Sequence, residues 1–292
     1  MEASEFERRY GPWAFVAGAS MGIGAALAHG AAARGLNVVL LARGRDLLED
    51  VAGDVARRHG VETRAVAADL GAPAPVIRDV IADATDGLDV GLFVYNAAVA
   101  PHGLFVDTEL DVQLLSVAVN CATPVALCNL LAPPMVERGR GGIALITSLA
   151  AVSGAVKFAT YNAGKAFQWI LAESLWAELG DHGVDVTTCF VGATSSPNYN
   201  SFKETLDPEL CGRPDSDDPL DRARSRLMDP RTPEEVAEAV YSGGLGAGPV
   251  CFTDPNDAWV AERCLAMPRT EAIAVWRGVQ ETSTRTPARQ AR

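Results

Sequence analysis

Short apolar runs alternate with longer helical patterns through the first 190 residues, and this alternation constrains the fold more than any other feature. The runs are rich in β-branched residues and stand at 13–18, 36–42, 61–68, 90–97, 142–148 and 184–192. The helical patterns between them lie at about 22–34, 45–59, 74–85, 108–137 and 160–180. Apolar strands that alternate with helices indicate a parallel sheet covered on both faces. With right-handed crossovers, they predict a Rossmann-like, doubly wound α/β fold.

A change in composition near residue 194 bears on how the rest of the chain is organised. Residues 194–230 are rich in Ser, Pro, Asp and Arg, and so long a loop in a compact domain is usually a functional lid or disordered. A last strand is expected within 248–254. We predict a single domain over residues 1–281, with 194–230 as a substrate lid and 282–292 as a disordered tail.

The formal net charge of −12 at pH 7 limits the classes of partner. An acidic protein repels phosphate backbones and anionic lipids, so we expect neither nucleic acid nor a membrane as a partner. No uninterrupted apolar run approaches the roughly 18 residues of a membrane span, and the start of the chain carries no apolar signal core. The six cysteines form no CxxC motif and no cluster with histidine. We therefore expect reduced thiols in a cytoplasmic protein, with no metal site.

The sequence AGASMGIG follows the first predicted strand and opens the first predicted helix. Gly18, Gly22 and Gly24 allow the backbone to turn sharply and to approach a ligand closely. The helix N-terminus behind them would present free N–H groups and the positive end of a dipole, which suits a pyrophosphate. A tight strand-to-helix turn without a ligand is the alternative, but the strand–turn–helix context favours binding.

The end of the second predicted strand bears on the choice of cofactor. In dinucleotide-binding folds an acidic residue there bonds the ribose 2′-OH, but this chain has Ala42 followed by Arg43. An arginine suits a 2′-phosphate through a planar, charge-assisted fork. The alternative is an arginine that simply meets solvent at a helix start. The sequence favours NADP(H) over NAD(H).

Two polar residues end the third and fourth predicted strands. Asp69 could accept from an adenine amino group, or it could be a helix N-cap. Asn96 could brace the neighbouring strand ends with its amide, or it could be an ordinary turn asparagine.

Tyr161 and Lys165 are four residues apart in ATYNAGKAF, and residues at this spacing share a helix face. The chain has only five tyrosines and three lysines, so the pair stands out. Ser148 ends the fifth predicted strand, 13 residues before Tyr161, at an edge where ligands of parallel sheets bind. Taken alone, Ser148 could just cap a loop. A glycine loop, a strand-end serine and a Tyr/Lys pair together are harder to obtain by chance.

These motifs resemble those of the short-chain dehydrogenase/reductase family over residue 10 to about 196. The resemblance assigns Asn120, Ser148, Tyr161 and Lys165 to a catalytic tetrad. It also assigns cofactor contacts to Gly18, Ser20, Gly22, Ile23, Gly24, Asp69, Leu70, Asn96, Tyr161, Lys165, Gly192, Thr194 and Ser196. Mild departures from the family pattern are Ala17, Ala98, Val191 and Ser196. The opening RYGPWAFVAGASMGIG is similar to a branch that includes steroid and long-chain 3-oxoacyl reductases.

The tetrad implies a proton-transfer site. A free tyrosine has a pKa near 10, and a nearby ammonium such as that of Lys165 would lower it. The resemblance implies that Lys165 also bonds the nicotinamide ribose and that Ser148 holds the substrate oxygen. Asn120 would support a water-mediated proton path, or it could be a buried polar residue bonded to backbone.

We therefore expect an NADP(H)-dependent oxidoreductase that interconverts a carbonyl group and an alcohol, with the proton from Tyr161. Apolar residues near 98–105, 150–158 and 194–230 favour a hydrophobic small molecule as substrate. Two alternatives stay open: a catalytically silent, cofactor-bound regulator, and an isomerase or dehydratase on the same fold. Oxidation of NADPH after carbonyl compounds are added distinguishes the oxidoreductase from these two alternatives: net turnover for the oxidoreductase, none for the regulator, and product without net oxidation for the isomerase or dehydratase.

The predicted helices at about 108–137 and 160–180 carry apolar residues on more than one face. A helix packed on one side needs a single apolar stripe, and a second exposed apolar face usually marks an interface. The family resemblance also implies pairing through these two helices. We predict a homodimer or homotetramer with Trp169 or Phe167 among its contacts. The alternative is that 255–281 covers the second face within the chain.

Overall fold

Seven parallel strands form the sheet in a computed structural model that describes residues 3–196, 199–200, 203–204, 206 and 211–283. They are β1 (Trp13–Ala17), β2 (Asn37–Ala42), β3 (Thr63–Ala67), β4 (Val90–Tyr95), β5 (Gly141–Ile146), β6 (Val184–Phe190) and β7 (Val250–Phe252). Their order is β3-β2-β1-β4-β5-β6-β7, so the direction of winding reverses between β1 and β4. In such sheets ligands bind at the carboxyl ends of the strands beside this reversal. The predicted Rossmann-like α/β fold with a single domain is confirmed.

Helices precede, connect and follow the strands. They are α1 (Ala3–Tyr10), α2 (Gly22–Ala32), α3 (Arg45–His59), α4 (Ala74–Thr85), α5 (Leu110–Val117), α6 (Thr123–Glu137), α7 (Ala159–Leu179), α8 (Pro219–Met228), α9 (Pro233–Ala239), α10 (Pro255–Ala266) and α11 (Arg269–Ser283). A π-helical turn, Ala118–Ala122, joins α5 to α6.

The sheet is buried on both faces because its strands are continuous apolar runs. Every residue of β4 and of β5 is buried. One core cluster packs α2, α3 and α9 against one face, with Leu27, Val55 and Val236 buried. A second cluster packs α4, α6 and α7 against the other face, with Ile81 and Ala172 fully buried. Burial on both faces explains why the strands show no polar alternation.

The predicted helix at 108–137 is a single helical segment with a defect in its middle. Because Pro124 has no backbone N–H, it cannot donate to the carbonyl four residues earlier, that of Asn120. The π-helical turn lies at this point, and such turns often occur at functional sites.

By length and composition, Leu110–Glu137 is also the one helix among the described residues that could cross a membrane. Here Leu127, Leu131 and Met135 on this segment are buried in the core, and α6 lies against α4, β4 and β5. Packing on the sheet therefore accounts for much of its apolar character.

The C-terminal part of the chain is more ordered than the sequence indicates. Within the predicted lid the structure places α8, so 194–230 is not a loop throughout. Residues 197–198, 201–202, 205 and 207–210 of that lid lie outside the described residues. A third core cluster joins α8, α10 and α11, with Ala223, Val260 and Ala272 buried. Of the predicted tail, 284–292 lies outside the described residues, and α11 continues to Ser283.

Candidate active site

The glycine turn between β1 and α2 has the geometry that the sequence predicts. Gly18 has φ of 82° and Gly22 has φ of 54°, values that disfavour a side chain. A Cβ on Gly24 would lie 1.9 Å from the Gly18 carbonyl oxygen. The Asn96 amide donates to that same carbonyl at 3.2 Å. The bracing role predicted for Asn96 is thus observed, and it joins the end of β4 to the turn.

A cavity of ≈ 1060 Å³ opens at the carboxyl ends of the strands. This volume is at the upper end of the roughly 300–1,000 Å³ of ligand pockets, as a site for cofactor and substrate together would need. The sequence-predicted residues that line it are Gly18, Ser20, Gly22, Ile23, Arg43, Asp69, Leu70, Asn96, Ser148, Tyr161, Lys165, Gly192, Thr194 and Ser196. Gly24 and Asn120 are not part of its lining. The fold therefore brings together residues that are up to 178 positions apart (196 − 18).

The turn end of the cavity fits a dinucleotide phosphate. Gly22 and Ile23 begin α2 and line the cavity, and the N-cap Met21 makes no side-chain hydrogen bond to the first turn. The helix N-terminus is thus open to an anion. Arg43 also lines this end, is exposed, and makes no ion pair or hydrogen bond with another of the described residues. These groups suit a phosphate beside the turn and another near β2.

Asp69 makes a local turn rather than a helix cap. Its Oδ1 accepts from the Gly71 N–H at 3.0 Å, while the N-cap of α4 is Pro73. The N-cap alternative for Asp69 is therefore wrong. The adenine contact stays a prediction, and the position of Asp69 on the cavity wall is compatible with it.

Ser148 and Tyr161 meet at the cavity wall. Ser148 follows β5, and its Oγ accepts from the Ala150 N–H at 3.2 Å, which leaves its own proton free to donate. Burial raises the pKa of the Tyr161 phenol, and the neighbouring Ser148 hydroxyl lowers it by a smaller amount. Burial therefore outweighs the lowering that the sequence led us to expect from Lys165.

Lys165 is almost completely buried, with 3% of its surface exposed. Its Nζ donates to the Ile146 carbonyl at 2.7 Å and to Gln168 Oε1 at 3.1 Å, and it lies 5.9 Å from the centre of the Tyr161 ring. Burial lowers the pKa of this amine to about 7, and the neighbouring Cys121 thiol raises it. The amine thus lies close to its protonation midpoint near neutral pH, in contact with two neutral acceptors.

Asn120 lies on the π-helical turn with its side chain fully buried. Its amide donates to the Val99 carbonyl at 2.7 Å and accepts from the Val99 N–H at 3.0 Å. The Asn120 side chain is therefore arranged as in the second interpretation that the sequence left open, a buried polar residue bonded to backbone. The Asn120 backbone carbonyl accepts from Gln168 Nε2 at 3.0 Å.

Residues from the C-terminal helices complete the cavity; the sequence placed part of the substrate site in 194–230, which includes α8, but missed the contributions of α10 and α11. Ala223 and Leu227 come from α8, Asp257 from α10, and Trp276 and Val279 from α11. Ala223 and Leu227 are four residues apart and Trp276 and Val279 are three apart, and residues at these spacings share a helix face. Nothing local showed that those faces turn toward the strand ends.

No group of three or more His, Cys, Asp or Glu side chains within the described ranges could hold a metal ion. The four cysteines classed as buried are Cys128, Cys189, Cys251 and Cys264, and all are free thiols.

Asp257 is a buried carboxyl at the edge of the site. A Cβ on Gly192 would lie 2.2 Å from its Oδ2, and its Oδ1 has no hydrogen-bond partner among the described residues. Burial raises the pKa of this carboxyl to about 7, and Asp254 adds to the rise, while Arg226 and Arg231 oppose it. At a pH between these two limits the folded chain keeps this proton, whereas the unfolded chain, in which the pKa of the carboxyl is near 3.8, has lost it.

The contribution of Asp257 to the stability of the protein should fall as pH rises through this window. Between about pH 4 and pH 7 the folded state binds more protons at Asp257 than the unfolded state does, so folding is progressively disfavoured. Asp257→Asn removes this titration, so the melting temperature of the variant minus that of the wild type should increase across the same window. Thermal denaturation at several pH values measures it, with the exposed Asp181→Asn as control. A difference that does not change with pH would contradict the assignment.

Comparison with known proteins places these residues in a family context. The model of the short chain dehydrogenase family matches residues 12–207. The 7beta-hydroxysteroid dehydrogenase of Collinsella aerofaciens is 30% identical over 214 residues, which are 70% of this chain and 81% of that protein. The very-long-chain 3-oxoacyl-CoA reductase of Anas platyrhynchos is 34% identical over 181 residues, 60% of this chain and 57% of that protein. This chain thus spans little more than half the length of that reductase.

Two further similarities bear on activity and fold. The inactive hydroxysteroid dehydrogenase-like protein 1 of Homo sapiens is 32% identical over 202 residues, 67% of this chain and 60% of that protein. A solved structure from work on 7beta-hydroxysteroid dehydrogenase stereoselectivity superposes with a TM-score of 0.79 at 27% identity. The superposition covers 93% of this chain and 98% of the other.

Proposed function

This chain belongs to the short-chain dehydrogenase/reductase family, and from that premise we propose that it is an NADP(H)-dependent oxidoreductase of carbonyl compounds and alcohols. The observation that carries the proposal is the grouping of Ser148, Tyr161 and Lys165 at the wall of one cavity with the glycine turn. A binding protein has no need for a tyrosine phenol and a serine hydroxyl at one cavity wall beside a buried amine.

Each of the three side chains has a role in moving a proton to the substrate oxygen. Ser148 donates a hydrogen bond to that oxygen and holds it beside the phenol. Tyr161 gives its proton to the oxygen during reduction and takes it back during oxidation. Lys165, as an ammonium, favours the phenolate that is left. The bound nicotinamide supplies or accepts the hydride.

The choice of NADP(H) rests on Arg43. Ala42 leaves no carboxylate at the end of β2 to bond a ribose 2′-OH, and the neighbouring guanidinium lines the cavity. A planar guanidinium suits the doubly charged 2′-phosphate.

Arg43→Ala should weaken NADPH binding by about 10- to 100-fold, because a hydrogen bond to a charged group contributes about 1.5–3 kcal/mol. NADH, which has no 2′-phosphate, should bind almost as before. Dissociation constants of both cofactors at fixed salt measure the effect. Arg45→Ala is the matched control, since Arg45 is exposed, pairs with Glu49 and does not line the cavity. An equal loss for both cofactors would show that Arg43 is only near the site.

The substrate part of the cavity is apolar. Its wall includes Val99, Leu149, Phe158, Leu227, Trp276 and Val279. Two relatives are named for a hydroxysteroid and for a very-long-chain 3-oxoacyl substrate, which supports a hydrophobic small molecule here as well. We propose that the substrate lies between the helices α8 and α11 and the Ser148–Tyr161 pair.

A homo-oligomer is the proposed assembly. On α7, the exposed residues Ala163, Phe167, Ile170 and Ala177 form one stripe, and a second stripe on α5, the π-helical turn and α6 holds Leu110, Leu114, Val117 and Val125. The predicted contact of Trp169 is not supported by its position, because its ring packs against Phe190 at 5.1 Å. Phe167 is 40% exposed and remains the predicted contact.

Replacing Phe167 and Ile170 together by Glu should dissociate the oligomer, because two charges would be buried in an apolar interface. Light scattering at micromolar concentration should give a dimer or tetramer for the wild type and about 31 kDa for the variant. Val76→Glu, an exposed apolar position on α4, is the control and should keep the wild-type mass. A monomer mass for the wild type would refute the assembly.

A cofactor-bound regulator is the second candidate, and the inactive human relative is the observation that favours it. A panel of hydrophobic ketones and aldehydes with NADPH separates the candidates. The proposed enzyme consumes one NADPH per carbonyl group reduced. A regulator consumes none, and an isomerase or dehydratase forms product without net oxidation of NADPH.

A further inference from the structure

Gln168 uses both ends of its side chain inside the site. It follows Lys165 by three residues on α7, and none of its surface is exposed. Its Oε1 accepts from Lys165 Nζ at 3.1 Å, and its Nε2 donates to the Asn120 backbone carbonyl at 3.0 Å. One amide therefore connects the buried amine to the π-helical turn.

The sequence of the turn explains why the Asn120 carbonyl accepts this bond. In an α-helix the N–H four residues later would bond that carbonyl, but Pro124 has none. A buried carbonyl without a partner is costly, and so is a buried amide. The bond between Gln168 and Asn120 satisfies both groups, and it fixes which end of the amide faces Lys165.

The contacts of Lys165 show why it matters that the oxygen of the Gln168 amide faces the amine. The amine contacts two neutral oxygens, Ile146 O and Gln168 Oε1. The titratable groups that face it are Tyr161 on its own helix and Cys121 on the π-helical turn. The described contacts of Lys165 thus include no carboxylate, so these two carbonyl oxygens, together with the Cys121 thiol, favour its charged form against burial.

We propose that Gln168 is a positioning residue that holds Lys165 in its ammonium form toward Tyr161 by connecting the Lys165 amine to the Asn120 carbonyl. This inference rests on the proposed function for its catalytic meaning. A water molecule can accept one proton and release another, whereas the carbonyl end of an amide only accepts the hydrogen bond. The link therefore fixes the charge beside the phenol and does not carry protons to the turn.

The test compares substitutions with opposite electrostatic effects. Gln168→Leu and Gln168→Met remove the acceptor from Lys165, so its pKa should fall by about one unit. Gln168→Glu replaces the amide with a carboxylate of the same shape, so the pKa of Lys165 should rise. Because the chain has only three lysines, ¹⁵N NMR of labelled Nζ atoms follows this titration without cofactor or substrate.

The pH profile of kcat gives the second readout. The alkaline limb should move to lower pH in the Leu and Met variants and to higher pH in the Glu variant, with kcat at neutral pH about tenfold lower for Leu. Gln113→Leu, which loses a bond from Thr160, is the matched buried control and should leave the Lys165 titration unchanged.

The two readouts separate the possible failures. Equal losses of kcat with no shift in either titration would show that Gln168 only fills space, and shifts of the same sign in the Leu and Glu variants would also overturn the proposal. If the wild type reduces no carbonyl compound, the proposed function fails. The opposite shifts in the NMR titration would still establish that Gln168 sets the charge of Lys165.

Discussion

Tyr161→Phe is expected to lower kcat by about 10²- to 10⁴-fold, which is the usual contribution of a positioned general acid. The change removes one oxygen atom, and with it the proton that the substrate oxygen receives. The ring stays in place against Phe158, whose centre lies 6.1 Å away. NADPH should therefore bind to the variant within a few-fold of the wild type, so the loss should appear in kcat and not in the dissociation constant of the cofactor.

Tyr241→Phe is the matched control for this result. Its hydroxyl donates to the Leu27 carbonyl at 2.7 Å in the core, and Tyr241 does not line the cavity. The control should lose about 1 kcal/mol of stability and keep its turnover. Turnover of Tyr161→Phe within about tenfold of the wild type, some 1.4 kcal/mol of barrier, would mean that another group supplies the proton.

Gly24→Ala is expected to raise the dissociation constant of NADPH by about 100-fold or more, which corresponds to at least about 2.7 kcal/mol. The added Cβ would lie 1.9 Å from the Gly18 carbonyl oxygen and 2.9 Å from Asn96 Nδ2. Both contacts are with groups that shape the turn, so the turn must open for the methyl group to fit. Titration of NADPH into the variant, with circular dichroism as a check of folding, measures the effect.

Gly53→Ala provides the comparison on a neighbouring helix. A Cβ there meets nothing within 4 Å, and the residue lies within α3, so this variant should gain about 0.5–1 kcal/mol of stability and bind NADPH normally. If Gly24→Ala does not fold, Gly22→Ala replaces it as the test variant. A Cβ on Gly22 would only touch Ser196, at 3.4 Å, but the φ of 54° at this position disfavours a side chain. Binding within threefold of the wild type in these glycine-turn variants would contradict the role of the turn.

The strands and the site motifs were predictable from the sequence because each depends on local chemistry. Apolar runs bounded by glycine and polar residues define β4 and β5 to within two residues. The glycine turn and the strand-end Ser148 follow from backbone requirements at the ends of parallel strands. For the same reason the sequence could place Tyr161 and Lys165 over the same crevice.

The remaining parts depend on contacts between distant segments. Trp276 lies 128 residues after Ser148 (276 − 148), and its place on the cavity wall follows from how α11 packs against α8. Trp169 is one position from the exposed stripe of α7, but the helix turns its ring toward Phe190. No local feature of the sequence marks Gln168, because its proposed role depends on the lack of an N–H at Pro124, 44 residues earlier (168 − 124).

The pKa values of the pair could not be anticipated from spacing. The sequence led us to expect that Lys165 lowers the pKa of the phenol, but burial of both groups has the larger effect. Burial disfavours the phenolate and the ammonium alike. The proposed catalysis near neutral pH therefore depends on groups that favour the charged forms, and Ser148, Gln168 and Cys121 are side chains in place to do so.

Transfer of deuterium from NADPH is the most direct test of the central claim. The wild-type chain is incubated with a hydrophobic ketone that it consumes and with NADPH carrying deuterium at the transferring position of the nicotinamide. Mass spectrometry then locates the label in the product. We expect one deuterium atom on the carbinol carbon, with one NADPH oxidised per alcohol formed and with the reaction nearly abolished in Tyr161→Phe. A product without deuterium, or no product from any carbonyl compound although NADPH binds, would contradict an oxidoreductase that works through Tyr161.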